Sequence, residues 1–222
     1  MNKVTELPPE MRQKMRLPFP WEQGQHLSII GGTGSGKTTL ANALIQWRKY
    51  TLALRSKADK TPLPGLPVKT YSALRKAMAN ENVSRILVDP PYEKQLPMFW
   101  NACELAWKQK SWAIYFDELF YLQDIGLEKQ VRRFLTQGRS QNLTTICGMQ
   151  RPVGVTRYAL SEPMHLISFR VEPRDIKTLA ELGAEKWAEK VAELEEYQFA
   201  WYHRAKREVF VGRVQDLFPE SG

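Results

Sequence analysis

An α/β fold, in which helices cover both faces of a mostly parallel sheet, is the architecture that this sequence predicts. Short apolar runs alternate with segments of helical periodicity along most of the 222 residues. A glycine-rich loop joins the first apolar run to the first helical segment. The last two apolar runs follow one another closely, which is typical of an antiparallel hairpin at a sheet edge. With 43% hydrophobic residues, the chain is long enough for one such domain.

The first half of the chain predicts an arm followed by alternating strands and helices. Residues 1–24 contain four prolines, which exclude a long helix, so we expect an arm or edge segment outside the domain at residues 25–222. Asp89 and the two prolines after it stop the third strand. A basic loop is expected at residues 55–67. Strands are predicted at residues 26–30, 51–54, 85–88 and 113–116, and helices at residues 38–50, 72–80 and 95–108.

The second half continues the alternation and ends in the hairpin. Gly138 is expected to end a helix at residues 127–137, and Gly183 separates the last two predicted helices. Strands are predicted at residues 143–149, 164–171, 197–202 and 208–214, and the last two helices at residues 175–182 and 185–196.

Charge and cysteine content narrow the classes of function. The chain has 32 Lys and Arg against 24 Asp and Glu, a net charge of +8, which favours a polyanionic partner over a protein that is merely basic. Cys103 and Cys147 lie in apolar stretches without metal-ligand spacing, so neither zinc nor a disulfide is indicated. No apolar run reaches the roughly 20 residues that span a bilayer, and no signal peptide begins the chain, so we expect a cytoplasmic protein.

The glycine-rich loop matches the G-x-x-x-x-G-K-[ST] motif, or Walker A motif, between a predicted strand and a predicted helix. Its backbone N–H groups are expected to wrap the phosphates of ATP, Lys37 to contact the β and γ phosphates, and Thr38 to join a Mg²⁺ shell. A glycine turn that binds nothing is the alternative. The predicted nucleotide-binding residues are Gly31, Gly32, Thr33, Gly34, Ser35, Gly36, Lys37, Thr38 and Thr39.

Two carboxylates follow the apolar strand at residues 113–116, as in a Walker B motif. Asp117 suits the Mg²⁺ shell, and Glu118 suits a general base that activates water, which implies hydrolysis to ADP and phosphate. A solvated loop acid is the alternative for Glu118. Gln150 ends the following strand, which should neighbour the strand of Asp117, so its amide can report on the γ phosphate. All these motifs are expected at the carboxyl ends of the strands, where parallel sheets bind ligands.

The segments around these residues resemble the FtsK/HerA superfamily of ring-forming DNA-pumping ATPases, with a RecA-like P-loop NTPase fold. The likeness covers roughly residues 25 to 214 and is greatest to the genome-packaging ATPases of viruses and prophages. It rests on residues 115–122, on residues 135–140, and on Gln150, Arg151 and Pro152 after the next strand. The resemblance assigns the roles above to Lys37, Thr38, Asp117, Glu118 and Gln150.

The resemblance also implies an arginine, matching Arg139, that reaches the nucleotide of a neighbouring subunit. Supplied in trans, such an arginine makes hydrolysis depend on ring assembly. Arg132, Arg133 and Arg151 are rivals for this role, and a surface arginine is the alternative. The superfamily implies a homo-oligomeric ring of six chains, a hexamer, and packaging motors elsewhere can be pentamers.

The DNA-contacting surface is less specified. Candidates for phosphate contacts that ignore base sequence are Arg55, Lys57, Lys60, Arg151 and Arg157, although charge runs are more often solvated faces. The tryptophans at positions 100, 107, 112 and 187 have spacings that favour the core over a base-stacking platform.

The sequence therefore predicts an ATP-driven motor that moves double-stranded DNA without sequence preference, most consistent with loading a viral capsid. Capsid vertex proteins are a further expected partner, and the location is the host cytoplasm or the capsid. The rival within the superfamily is an assembly or secretion ATPase, for filamentous phage or conjugation. Outside it, a P-loop small-molecule kinase would need a lid over its acceptor, and a non-hydrolysing switch conflicts with Glu118.

Overall fold

The computed structural model describes residues 15–56, 63–182 and 184–218. The strands in those ranges are β1 (Leu27–Ile30), β2 (Thr51–Leu54), β3 (Leu66–Val68), β4 (Arg85–Val88), β5 (Ala113–Phe116), β6 (Thr144–Met149), β7 (His165–Phe169), β8 (Gln198–His203) and β9 (Glu208–Arg213). The α-helices are α1 (Lys37–Trp47), α2 (Tyr71–Ala79), α3 (Gln95–Gln109), α4 (Leu119–Leu122), α5 (Glu128–Gln137), α6 (Tyr158–Ser161), α7 (Pro173–Ala180) and α8 (Glu185–Ala192).

The strands form one sheet in the order β3-β4-β2-β5-β6-β1-β7-β8-β9. Pairing is parallel from β3 to β7 and antiparallel across β7, β8 and β9. The predicted fold, a mostly parallel sheet with a C-terminal antiparallel hairpin, is confirmed. β1 lies between β6 and β7, so the loop after β1 leaves the middle of the sheet.

Both faces of the sheet are buried, which explains why its parallel strands are nearly continuous apolar runs. On β1, Ile29 packs with α1 on one face, and Ile30 packs with α3 and α5 on the other. Trp112 and Trp187 are buried, and Trp100 and Trp107 pack against the core, as predicted. Polar side chains that act on a ligand are therefore restricted to the edges where strands end.

The sequence analysis did not predict three of the described elements, β3, α4 and α6. β3 overlaps the end of the predicted basic loop at residues 55–67. It was missed because it is a three-residue edge strand that contains Pro67, and proline is tolerated at an edge. α4 and α6 have four residues each, too short to show helical periodicity. Lys57, Lys60 and Gly183, which the sequence analysis singled out, lie outside the described residues.

Residues 15–24 of the predicted arm lie against the domain. Met15, Phe19 and Trp21 are buried in the core on the α1 face. The guanidinium of Arg48 lies 3.8 Å from the centre of the Trp21 ring and donates to the Glu22 carbonyl at 2.7 Å. This part of the arm therefore contributes to the core.

Within the described ranges, no helix combines the length and apolar character needed to cross a bilayer.

Two buried histidines beside β1 are held neutral. Nδ1 of His26 accepts from the Thr145 N–H at 3.1 Å, and Nδ1 of His165 accepts from the Trp201 indole N–H at 3.1 Å. Burial, with a smaller effect of Arg139, lowers the pKa of His26 to about 4. Burial, with smaller effects of His203 and Arg48, lowers the pKa of His165 to about 3. Protonation would also remove the acceptor on each ring.

We therefore predict that acid destabilises the fold before its carboxylates titrate. Below pH 6.5, the ordinary pKa of histidine, His26 and His165 are protonated in the unfolded chain but stay neutral in the folded chain. The free energy of unfolding should fall by up to about 2 kcal/mol per histidine between about pH 7 and pH 5. Urea unfolding at both values measures the fall. His26→Gln and His165→Gln should each show a smaller fall than the wild-type chain, and a fall as large as that of the wild-type chain in both variants would contradict the assignment.

Candidate active site

Three parallel strands, β1, β5 and β6, bring their carboxyl ends to one edge of the sheet. The loop after β1 begins at Gly31, whose N–H donates to the carbonyl of Met149, the last residue of β6, at 3.1 Å. Asp117 and Glu118 follow β5, and Gln150 follows β6. β5 pairs with β6, which confirms the expected neighbourhood of Gln150 and the acidic pair. The loop, the acids and the amide therefore share one edge.

The loop after β1 has the backbone that its glycines require. Gly34 and Gly36 have φ values of 82° and 99°, in the left-handed region that favours glycine. A Cβ on Gly31 would lie 2.6 Å from Ser35 Oγ, whereas one on Gly32 would meet open space. Lys37 begins the 11-residue helix α1 and is 5% exposed. The helix N-terminus therefore opens directly onto the loop, as an anion site needs.

The acidic pair is buried at the end of β5. Asp117 is 6% exposed and Glu118 is 7% exposed. The Tyr115 hydroxyl donates to Asp117 Oδ1 at 2.8 Å. Burial, with the Asp117 carboxylate beside it, raises the pKa of Tyr115 well above its ordinary value, so the hydroxyl keeps its proton. Tyr115 thus fixes the orientation of the Asp117 carboxylate.

The amide of Gln150 contacts the second acid. Its Nε2 donates to Glu118 Oε2 at 3.1 Å. This contact joins the ends of β5 and β6 through the two side chains that the sequence assigned to water activation and to the γ phosphate. A change in the position of either side chain must therefore break the contact or move the other.

A cleft of about 450 Å³ lies beside the loop, at the ends of β1, β6 and β7. Arg151, on its rim, forms a two-pronged ion pair with the buried Asp175, with Nε–Oδ2 at 3.0 Å and Nη2–Oδ1 at 2.9 Å. The pair ties the segment after β6 to α7. Other residues that line the cleft are Gly32, Gln150, Arg170 and Glu172.

Arg139 does not join this group, which corrects the expectation that all motifs lie at the carboxyl ends. It is exposed in the turn Gly138–Gln141 before β6, and its charge acts on His26, just before β1. Both positions are at the amino ends of parallel strands. A four-residue strand such as β1 spans roughly 13 Å. Arg139 therefore lies about one strand length from the loop of its own chain, at the opposite ends of the parallel strands.

The other arginines considered for this role are engaged elsewhere. Arg132 Nη2 pairs with Glu128 Oε1 at 2.9 Å on α5. Arg133 Nη1 pairs with Glu104 Oε1 at 2.7 Å, and its guanidinium lies 3.9 Å from the centre of the Trp107 ring. Of the candidates for DNA contact, Arg55 pairs with Asp89 at 3.4 Å.

The described residues fit ATP with Mg²⁺. Among them, the buried Ser35 hydroxyl has no hydrogen-bond partner, and the open space beside Gly32 leaves room for a ligand against the backbone. Thr38 and Asp117 supply a hydroxyl and a carboxylate, the oxygen ligands that Mg²⁺ prefers when substrate phosphates complete its shell.

Sequence reasoning missed the residues that hold the site in place. Tyr115 was given a place in an apolar strand and in the family resemblance but no role of its own, yet its hydroxyl donates to Asp117. Gly148 is the penultimate residue of β6, and a Cβ there would be 2.9 Å from the Tyr115 hydroxyl. A glycine inside a predicted strand is a signal of such a close approach. Asp175 was placed in a helix without a partner, and only the fold brings it to Arg151.

No protein-family model matches the sequence, and no curated protein matches it. Solved structures do match the chain. The DNA-packaging ATPase B204 from Sulfolobus Turreted Icosahedral Virus is 20% identical with a TM-score of 0.68, covering 87% of this chain and 98% of that chain. The genome packaging NTPase B204 from Sulfolobus turreted icosahedral virus 2, in complex with ATP-gammaS, is 17% identical with a TM-score of 0.67, over 87% and 98%.

A third structure comes from a different kind of protein. The pCW3 conjugation coupling protein TcpA, with ATPgS, is 15% identical with a TM-score of 0.56, covering 85% of this chain and 59% of that chain. At these identities the likeness establishes the fold, which is that of P-loop ATPases. It agrees with the resemblance that the sequence motifs indicated.

The close approach of β5 and β6 yields a prediction about Gly148. Gly148→Ala should push the Tyr115 hydroxyl away from Asp117 and lower the free energy of unfolding by about 1 to 3 kcal/mol, because the core has no room for the methyl group. Tyr115→Phe in the same chain should recover part of this loss. Gly32→Ala, facing open space, is the control and should keep full stability. Urea unfolding measures these three variants and Tyr115→Phe alone, and a loss in the double variant equal to the sum of the two single losses would contradict the contact.

Proposed function

We propose that this chain hydrolyses ATP to ADP and phosphate and uses the energy to move double-stranded DNA, most specifically to load a viral capsid. The observation that carries the proposal is the contact between Gln150 and the buried Glu118 beside the loop after β1. A buried carboxylate held by an amide at the site of phosphate binding suits water activation better than binding alone.

The residues of the site divide the work of hydrolysis. The loop N–H groups and Lys37 bind the phosphates, and the N-terminus of α1 favours their charge. Thr38 and Asp117 would hold Mg²⁺, which neutralises charge on the phosphates when bound. Glu118 takes a proton from the attacking water. Gln150, which contacts Glu118 in the described chain, is positioned to respond to the γ phosphate.

Packaging is favoured over the rival functions. The packaging ATPases match over nearly their whole length with higher TM-scores than the conjugation coupling protein, of which 59% is covered. An assembly or conjugation ATPase of the same fold is the second candidate. A small-molecule kinase would be expected to lack a general base beside Asp117 and would need a lid that closes over its acceptor.

The position of Arg139 supports the proposed ring assembly. Arg139 lies at the amino ends of the parallel strands, and the loop of its own chain lies at their carboxyl ends. The nucleotide that Arg139 could contact is therefore one bound to a neighbouring chain. An arginine supplied in trans stabilises charge on the transferring phosphoryl group. The proposed assembly is a homo-oligomeric ring of five or six chains around DNA, with the capsid vertex as a further partner. The net charge of +8 suits DNA phosphates of any sequence.

We predict that binding and hydrolysis separate in two variants. Lys37→Ala should lose ATP binding and turnover, because the buried ammonium contacts the phosphates. Glu118→Gln should bind ATP normally and lose about 100-fold or more of its turnover, because the amide takes no proton. Fluorescent nucleotide titration and phosphate release measure the two steps. Glu162→Gln, an exposed acid before β7, is the control. Normal turnover in Glu118→Gln would refute the base assignment.

We also predict that two inactive variants restore one another. Arg139→Ala should bind ATP yet hydrolyse it poorly, and a mixture with Glu118→Gln should regain part of the activity. Some interfaces in the mixture pair an intact Glu118 with an intact Arg139 from the next chain. Arg132→Ala, another exposed arginine, should leave turnover unchanged. Phosphate release from the mixture is the measurement, and a mixture as inactive as its parents would count against action in trans.

A further inference from the structure

Tyr197 is an exposed aromatic residue with an unusual backbone. Its side chain is 56% exposed, and its φ is 61°, in the left-handed region. Bulky residues rarely adopt this conformation, which glycine and asparagine accept readily. An outlier of this kind persists when the surroundings hold it, and it points to a use for the side chain.

The turn before β8 holds Tyr197 in place. Gln198 N–H donates to the Glu195 carbonyl at 3.2 Å, and Glu195 N–H donates to Gln198 Oε1 at 2.9 Å. Arg213 of β9 adds an ion pair to Glu195 at 2.9 Å. Because β8 runs antiparallel to β7, this turn lies beyond the carboxyl end of β7. Tyr197 is therefore fixed at the same edge of the sheet as the loop after β1.

The ring of Tyr197 lies beside the last glycine of that loop. A Cβ built on Gly36 would lie 4.0 Å from Tyr197 Cδ1 and 3.3 Å from Phe169 Cε1. Phe169 is buried and packs edge-on against Phe199, with ring centres 5.9 Å apart. Gly36 immediately precedes Lys37 and α1. The exposed ring of Tyr197 thus stands next to the start of the helix that would bind the phosphates.

The order of the strands sets the direction of a bound nucleotide. Glu118 and Gln150 lie on the β5 and β6 side of β1, and Tyr197 lies on the β7 and β8 side. A triphosphate on the loop with its γ end toward Glu118 must extend its nucleoside toward Tyr197. We propose that the exposed ring of Tyr197 is the platform on which the base of the bound nucleoside triphosphate stacks. This inference rests on the proposed function.

The test compares ATP with inorganic tripolyphosphate, which has the phosphates and lacks the base. Calorimetric titration with Mg²⁺ should show that Tyr197→Ala weakens ATP binding about 5- to 150-fold, the range expected for one stacked base. Tripolyphosphate binding should be unchanged. Tyr197→Phe should keep ATP affinity, because the ring remains. Tyr92→Ala, which removes another exposed tyrosine, is the matched control.

A fourth variant separates stacking from a structural role. Tyr197→Asn should lose ATP affinity like the alanine variant while its thermal midpoint stays equal or rises, because asparagine accepts the left-handed backbone. Unchanged ATP affinity in Tyr197→Ala would overturn the platform and leave the proposed function intact. Equal losses for ATP and tripolyphosphate, with a lower thermal midpoint, would also overturn it. A wild-type chain that binds neither ligand would overturn the proposed function and the inference with it.

Discussion

Parallel pairing with burial on both faces is the constraint on which the rest of the structure depends. Every parallel strand ends at the same edge, and apolar side chains occupy both faces, so polar side chains that meet a ligand collect where the strands stop. β1 lies centrally, between β6 and β7, and its loop therefore has neighbours on both sides. The acids and Gln150 lie on one side, and Arg170, Asp175 and the turn of Tyr197 lie on the other.

Buried charge at this edge requires partners, and the fold supplies them from neighbouring strands. Asp117 receives the Tyr115 hydroxyl, and Glu118 receives the Gln150 amide. The Tyr115 contact depends on Gly148, because a larger residue on β6 would occupy the space of the hydroxyl. Catalytic geometry and core packing are thus coupled, since the same pair of strands determines both.

The sequence predicts what depends on local spacing. The glycine loop, the apolar runs of β2, β4 and β5 and the acidic pair were placed correctly, since each is determined by a few adjacent residues. Its errors concern relations between distant segments. Arg139 precedes a strand, and only the parallel register shows that this puts it at the far edge. The same holds for the pairing of Arg151 with Asp175 and the proximity of Tyr197 to Gly36, which arise from strand order.

The central claim is that this edge hydrolyses ATP in the service of DNA movement. The most direct measurement is phosphate release by the wild-type chain with ATP and Mg²⁺, with and without long duplex DNA of unrelated sequences. The account predicts release that rises with every duplex and loses this stimulation as salt is raised, because the contacts are to phosphates. Release indifferent to DNA, or phosphoryl transfer to a small acceptor in place of water, would contradict the account.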